Sequence, residues 1–201
     1  MDGVATAPFD VARIRQDFPI LSQPQPRGRP LVFLDSGASA QKPRAVIDAM
    51  VRCMETAYAN VHRGAYRLSE LATDAYEAAR AATARFINAP DAREVVFTRN
   101  STEAMNLVAH SWGRGVMRPG QAVVISELEH HANIVPWQML RDDGRGIELR
   151  VCRVTDAGEI DMADLEAKLA DGKVGLVAIA HMSNVLGTVT PVERIVALAH
   201  A

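Results

Sequence analysis

The apolar positions change period several times along the chain, and each change marks an element. From residue 94 onward the alternation is regular. "EVVFT" (94–98) reads as a strand, and 102–112 as a helix with Ala104, Leu107, Val108 and Trp112 in phase. "AVVIS" (122–126) is a strand, and Pro136 opens a helix to about residue 142. "IELRVCRV" (147–154) is a strand, and Asp161 caps a helix to about 170. "VGLVAIA" (174–180) is a strand, and Thr190–Pro191 starts a helix that runs to the last residue. Two of the strands are nearly all apolar. Strands of that kind, alternating with helices, predict a mostly parallel α/β sheet covered on both faces.

The first half is less regular. Asp10 starts a short helix over 10–18, with Val11, Ile14 and Phe18 on one side, and "SQPQPRGRP" is a proline-rich connector. "LVFLD" reads as a short strand, and Pro43 opens a helix to about 59. Ser69 is expected to cap a longer helix to about 88, its apolar face formed by Leu71, Ala75, Ala79, Ala82 and Phe86. The domain reading is a helix and arm over 1–30, followed by one large domain from 31 to 201. "PVERIVALAHA" has no glycine cap and no polar exit, so the sequence reads as cut before the next strand.

Composition narrows the function classes. With 48% hydrophobic and 23% charged residues the chain is an ordinary globular protein, and a net charge of −2 gives no footprint for nucleic acid or an anionic membrane. No apolar run is long enough to span a bilayer, and the N-terminus has no basic stretch ahead of an apolar one. A cytoplasmic location is the expectation. Cys53 shares a helical stripe with Val46, Met50 and Ala57 and reads as a buried structural thiol, while Cys152 reads as a strand residue facing an inner layer.

The candidate chemistry gathers at one end of the sheet. Open α/β sheets bind ligands beyond the carboxyl ends of their strands. Four such ends run into small polar clusters, "SGASAQ", "RNSTE", "ELEHHAN" and "HMSN", whereas "MRPGQ" and "LADGK" at the opposite end are plain turns. Ser101 and Thr102 stand where a strand turns into a helix, a place suited to an anion such as phosphate, or to an ordinary cap. No glycine-rich nucleotide fingerprint is present. His130 and His131 are adjacent, so on extended backbone they diverge and make poor joint metal ligands, and no spacing completes a set. One imidazole is better suited to stacking on a planar ligand or carrying a proton.

"LDSGASAQKP", "VHRGAYRLSELAT", "FTRNSTEAMNLVAHSWG", "ELEHHANIVPWQML" and "HMSNVLGTVTPV" together closely resemble the group II (SufS/CsdA-type) cysteine desulfurases. The resemblance runs in register from about residue 10 to 201. It implies a pyridoxal 5'-phosphate (PLP) enzyme of fold type I, the aspartate-aminotransferase fold, here the N-terminal part of the large domain. By resemblance, Ser101 and Thr102 hold the cofactor phosphate, and His130 stacks on the ring and moves protons. Asn184 lies by the phenolic oxygen and the substrate carboxylate. Gly37 and Ala38 line the substrate pocket, and His62, Arg63 and Glu103 lie near its entrance and the dimer interface. Gly37 stands where the family more often has alanine, and Ser101 where it often has threonine.

The implied reaction converts L-cysteine to L-alanine and leaves sulfur as a persulfide. The sulfur then passes to an acceptor protein of the SufE/SufU type for iron–sulfur cluster assembly, and the enzyme is a homodimer. Selenocysteine lyases share most of these motifs, and a truncated product that only binds a partner is the more distant alternative. The family's cofactor lysine, its persulfide cysteine and its carboxylate-binding arginine all match nothing here, so residues 1–201 alone are expected to be inactive and poorly soluble. In this fold "EVVFT" is separated from the other strands by strands that come later, which would leave it without a ladder and leave "VGLVAIA" as an open edge.

Overall fold

The computed structural model describes residues 9–201, so the start of the predicted N-terminal arm lies outside the described residues. The chain divides into two compact units, Met1–Val96 and Phe97–Ala201.

The first unit is helical. Helix α1 (Val11–Gln16) begins where expected, its N-terminus capped by Asp10, whose carboxylate accepts the Arg13 N–H at 3.0 Å. Helix α2 (Arg44–Thr56) follows Pro43, and α3 (Arg67–Phe86) is the longest element. Four expectations fail in this unit, the last of them the cap of α3. "LVFLD" forms no strand: Val32 and Leu34 are exposed, because no neighbouring segment offers a ladder to residues 31–35. Cys53 is exposed together with Val46 and Met50, so its stripe on α2 is an uncovered face and not a core. Leu71 and Phe86 are exposed as well, and α3 instead buries Ser69 and Ala84.

Ser69 is not the cap of α3, because its hydroxyl is already committed. It donates to the Asn60 carbonyl at 2.6 Å and accepts the Gly64 N–H at 3.1 Å. One and two turns on, Thr73 Oγ1 accepts the His62 N–H at 2.8 Å and Glu77 meets His62 Nε2 at 2.7 Å. Three turns of one helix therefore pin the loop 60–64. A side chain at Gly64 would stand 2.3 Å from Ser69 Oγ, which explains the glycine.

The second unit holds the sheet. Strands β1 (Ala122–Ser126), β2 (Glu148–Cys152) and β3 (Val174–Val177) are parallel, in the order β2–β1–β3. Helix α4 (Ser101–Val108) runs through a π-helical turn, Ala109–Gly113, into the single turn α5 (Arg114–Val116). Helices α6 (Val135–Asp142), α7 (Met162–Leu169) and α8 (Val192–Ala199) complete the alternation. Pleating sends successive residues of β1 to opposite faces. Val123 and Ile125 join Ala109, Trp137, Leu140 and Ile147 on one side, while Val124 joins Cys152, Ile160, Leu165 and Ile195 on the other. This double cover keeps every residue of β1 buried and makes its chain pattern nearly all apolar. The π turn lets Gly113 pass close to α6, where an added Cβ would lie 3.0 Å from Leu140 Cδ2.

"EVVFT" pairs with no strand among the described residues, and Val96 and Phe97 are exposed. The Val95 carbonyl accepts from the Arg80 guanidinium instead of from a strand. β3 lies at one edge of the sheet, as the resemblance implied.

Candidate functional site

Strand β1 ends at Ser126, and the chain turns at once into a buried polar knot. Glu129 is 8% exposed, yet its carboxylate is fully engaged. Ser126 Oγ donates to Oε1 at 2.6 Å, and the Asn133 amide donates to Oε2 at 2.7 Å. The Ala180 N–H, just past β3, reaches both oxygens at 2.9 and 3.0 Å. Trp137 Nε1–H donates to Asn133 Oδ1 at 2.9 Å, which fixes the way the amide faces and leaves its NH2 for Glu129 and the Ala178 carbonyl, 3.0 Å away. A buried carboxylate is tolerable only with partners of this number.

His130 follows directly. Its Nδ1 accepts the Ala132 N–H at 3.1 Å, so a neutral ring carries its proton on Nε2. The ring is exposed, and it caps a 3-10 turn, His131–Asn133, closed by the Asn133 N–H on the His130 carbonyl at 2.7 Å. The His131 ring meets it edge-on with centroids 6.2 Å apart, so the two imidazoles do not converge on one point.

Helix α4 packs against this turn. Its N-cap is Asn100, whose side chain accepts the Glu103 N–H at 2.9 Å, and Glu103 reaches back to the Arg99 N–H at 2.6 Å. Hydrogen bonds from the Arg99 guanidinium and then from its N–H hold the Glu103 carboxyl below the usual range. Capping is thus complete without Ser101 or Thr102. Both are exposed first-turn residues, and their hydroxyls and N–H groups form no hydrogen bond among the described residues. Two adjacent N–H groups, two hydroxyls and the positive end of a helix suit a phosphate dianion.

The exit of β3 leads into a closed loop. The Ser183 N–H bonds the Thr188 carbonyl at 2.9 Å, and Ser183 Oγ accepts from Val185 and Leu186 at 3.3 and 3.2 Å. Thr190 Oγ1 ties the base of the loop to the Ala180 carbonyl at 2.8 Å. Asn184 sits exposed at its tip. The same sheet end therefore gathers three of the four predicted clusters: α4 against the histidine turn, and the histidine loop joined to the β3 exit through Glu129. Gly37, Ala38 and Arg63 belong to the first unit, where all three are exposed. The Ala38 N–H closes a turn on the Asp35 carbonyl at 3.2 Å, and Arg63 lies in the loop pinned by α3.

Sequence reasoning passed over Glu129, Asn133 and Asn100. The two asparagines had a signal, one standing one turn before a tryptophan and the other three residues ahead of a glutamate, whereas Glu129, three residues past the end of β1, had none.

No lysine reaches this end of the unit. Lys168 is held by Asp164 at 2.6 Å, Lys173 lies just before β3, and in the first unit Lys42 bonds the Ala40 carbonyl. Burial pushes the Cys152 thiol up to about 11, which makes it a poor nucleophile. The described residues hold no cluster of three or more metal-ligating side chains, and no helix among them is long and apolar enough to cross a membrane.

Comparison with known proteins places the chain in a family. A cysteine desulfurase of Dickeya dadantii (strain 3937) is 54% identical over 193 residues, covering 96% of this chain and 46% of its own length. One from Yersinia pseudotuberculosis serotype O:1b (strain IP 31758) is 52% identical, with 47% of its length covered. The chain thus spans about half the length of these relatives. Among solved structures, the apo cysteine desulfurase of Thermococcus onnurineus NA1 superposes with a TM-score of 0.84 at 35% identity, over 94% of this chain and 44% of that one. The Escherichia coli cysteine desulfurase CsdA gives 0.79 at 35% identity, over 96% and 46%. Residues 32–201 match the aminotransferase class-V family, and the chain belongs to it.

Proposed function

We propose that this chain supplies the phosphate-holding and ring-stacking part of a PLP-dependent cysteine desulfurase. The enzyme converts L-cysteine to L-alanine and hands the sulfur to a cysteine thiol as a persulfide. The observation that carries this reading is the start of α4, where Ser101 and Thr102 are free for an anion because Asn100 does the capping. Relatives named cysteine desulfurase, matched along nearly the whole chain, support the same reaction.

PLP, when bound, supplies an electron sink for the amino acid's α-carbon. The chain's own residues bind and orient it. The hydroxyls and N–H groups of Ser101 and Thr102 donate to the phosphate. The exposed His130 ring stacks on the pyridine and presents Nε2 as its proton-carrying atom, since Nδ1 is occupied by Ala132. Asn184, at the tip of its loop, donates to the cofactor's phenolic oxygen and the substrate carboxylate. Gly37, Ala38 and Arg63 contribute to the substrate side. Neither cysteine nor any of the three lysines suits the covalent roles, which we assign to residues outside this chain. The same reading makes the enzyme a cytoplasmic homodimer that delivers sulfur to a SufE/SufU-type acceptor.

The test is product analysis with the complete gene product, PLP and either L-cysteine or L-selenocysteine. Alanine and sulfane sulfur in equal amounts from L-cysteine support the proposal. Turnover confined to selenocysteine makes it a selenocysteine lyase, and pyruvate in place of alanine overturns it.

A further inference from the structure

We propose that Glu129 is a positioning residue that holds His130 in one tautomer and one orientation. The claim rests on the functional reading only in taking His130 as the group to be positioned. Glu129 is buried, and its hydrogen bonds run to Ser126, Asn133 and Ala180 and not to the His130 ring. It acts through two connections. The first is lateral: both carboxylate oxygens accept the Ala180 N–H, 51 residues away, joining the exit of β1 to the exit of β3. The second is a relay: Oε2 holds Asn133, whose own N–H closes the turn on the His130 carbonyl, and the same turn supplies the Ala132 N–H that occupies Nδ1. Every donor in this knot except the Ser126 hydroxyl, which can turn, is fixed, either a backbone N–H or an amide locked by Trp137 and Ala178. The fixed donors of Asn133 and Ala180 require an acceptor oxygen at position 129.

The alternative is that Glu129 merely fills a polar core position. The two differ at the His130 ring. In a purely structural role, loss of Glu129 lowers stability and leaves the histidine unchanged wherever the protein still folds. In a positioning role, the turn loosens, the Ala132 N–H leaves Nδ1, and the ring samples both tautomers. Glutamine is the conservative variant: its oxygen can keep Asn133 and Ala180 while its NH2 donates to Ser126 Oγ. Alanine removes every acceptor.

The experiment uses the complete gene product as holoenzyme, with 15N-labelled histidine and the His130 signals assigned by their loss in His130→Ala. Wild type is expected to show a single tautomer protonated on Nε2. Glu129→Ala is expected to give averaged ring-nitrogen shifts, with faster amide exchange over 129–134 and 178–183. Its kcat should fall by up to about 10²-fold, the cost of misplacing a reacting group by about 1 Å, with KM changed far less. Glu129→Gln should restore the single tautomer and most of the rate. Should Glu129→Ala fail to fold, Asn133→Ala cuts the relay while keeping the carboxylate and is expected to give the same averaged shifts. A folded Glu129→Ala or Asn133→Ala variant with the wild-type ring signature overturns the proposal. The ring signature is read without turnover, so a protein lacking desulfurase activity would refute the functional reading and still decide this one.

Discussion

The side-chain oxygen of Asn100 accepts the N–H of Glu103 at 2.9 Å, and this bond separates the ending of a helix from the holding of a ligand. Because the cap is Asn100, Asn100→Ala should destabilise the protein by about 1 kcal/mol. The double variant Ser101→Ala/Thr102→Ala, which removes two exposed hydroxyls without partners, should stay within about 0.5 kcal/mol of wild type. Urea unfolding of both proteins checks the pair. The reverse ranking would make the two hydroxyls the cap.

The two adjacent histidines should separate cleanly in kinetics. His130→Ala is expected to lower desulfurase turnover by about 10²–10⁴-fold, the usual span for a lost general acid–base group. His131→Ala should stay near wild type, because its ring turns edge-on to its neighbour and has no assigned partner in the site. Parallel losses in both variants would mean that the pair acts as a unit.

The second unit was largely legible in the sequence, and the first was not. In the second unit each strand pairs with another and each helix covers a face, so periodicity and burial agree. β1, α6, α7 and α8 lie within a few residues of their predicted bounds. Strand propensity needs a partner to become a strand, and "LVFLD" and "EVVFT" find none among the described residues. The stripe holding Cys53 shows the same limit for helices, since spacing identifies an apolar face and cannot say whether anything covers it. At the site, the residue types and the sheet end could be read from the chain. Glu129 could not, because a buried carboxylate is justified only by donors such as the Ala180 N–H, which sequence distance conceals.

Asp164 gives a pH test of the join between α7 and the exit of β2. Lys168, and after it the Arg153 N–H, hold its carboxyl down to about 2 from an ordinary 3.8. A depressed folded-state pKa means that the stabilisation is complete above the unfolded value and is lost as pH falls through the folded one. Asp164→Asn should therefore cost on the order of 1–2 kcal/mol near neutrality. The gap to wild type should hold down to about pH 5 and narrow between about pH 4 and 2. Urea midpoints across this range decide it, and a constant gap would show that the aspartate acts through packing alone.

The two cysteines should differ in alkylation. Cys53 is exposed, while Cys152 is buried with its thiol at about 11. In the folded protein at about pH 8, where a thiol of that pKa is almost wholly protonated, iodoacetamide should label Cys53 and spare Cys152. Denaturant should open Cys152 to the reagent. Peptide mass mapping before and after unfolding provides the check, and equal labelling in the native state would contradict the burial of Cys152.

The central claim is that the free hydroxyls and N–H groups at the start of α4 hold the cofactor's phosphate. PLP titration of the complete gene product, followed by absorbance and repeated with pyridoxal lacking the phosphate, tests it most directly. Replacing Ser101 and Thr102 together by alanine removes charge-assisted hydrogen bonds to the phosphate. The double variant should retain PLP at least about tenfold more weakly than wild type, a loss of about 1.4 kcal/mol. It should bind the dephosphorylated analogue as wild type does, while Asn100→Ala changes stability more than affinity. Unchanged PLP affinity in the double variant, or an equal loss for the analogue, would contradict the phosphate site.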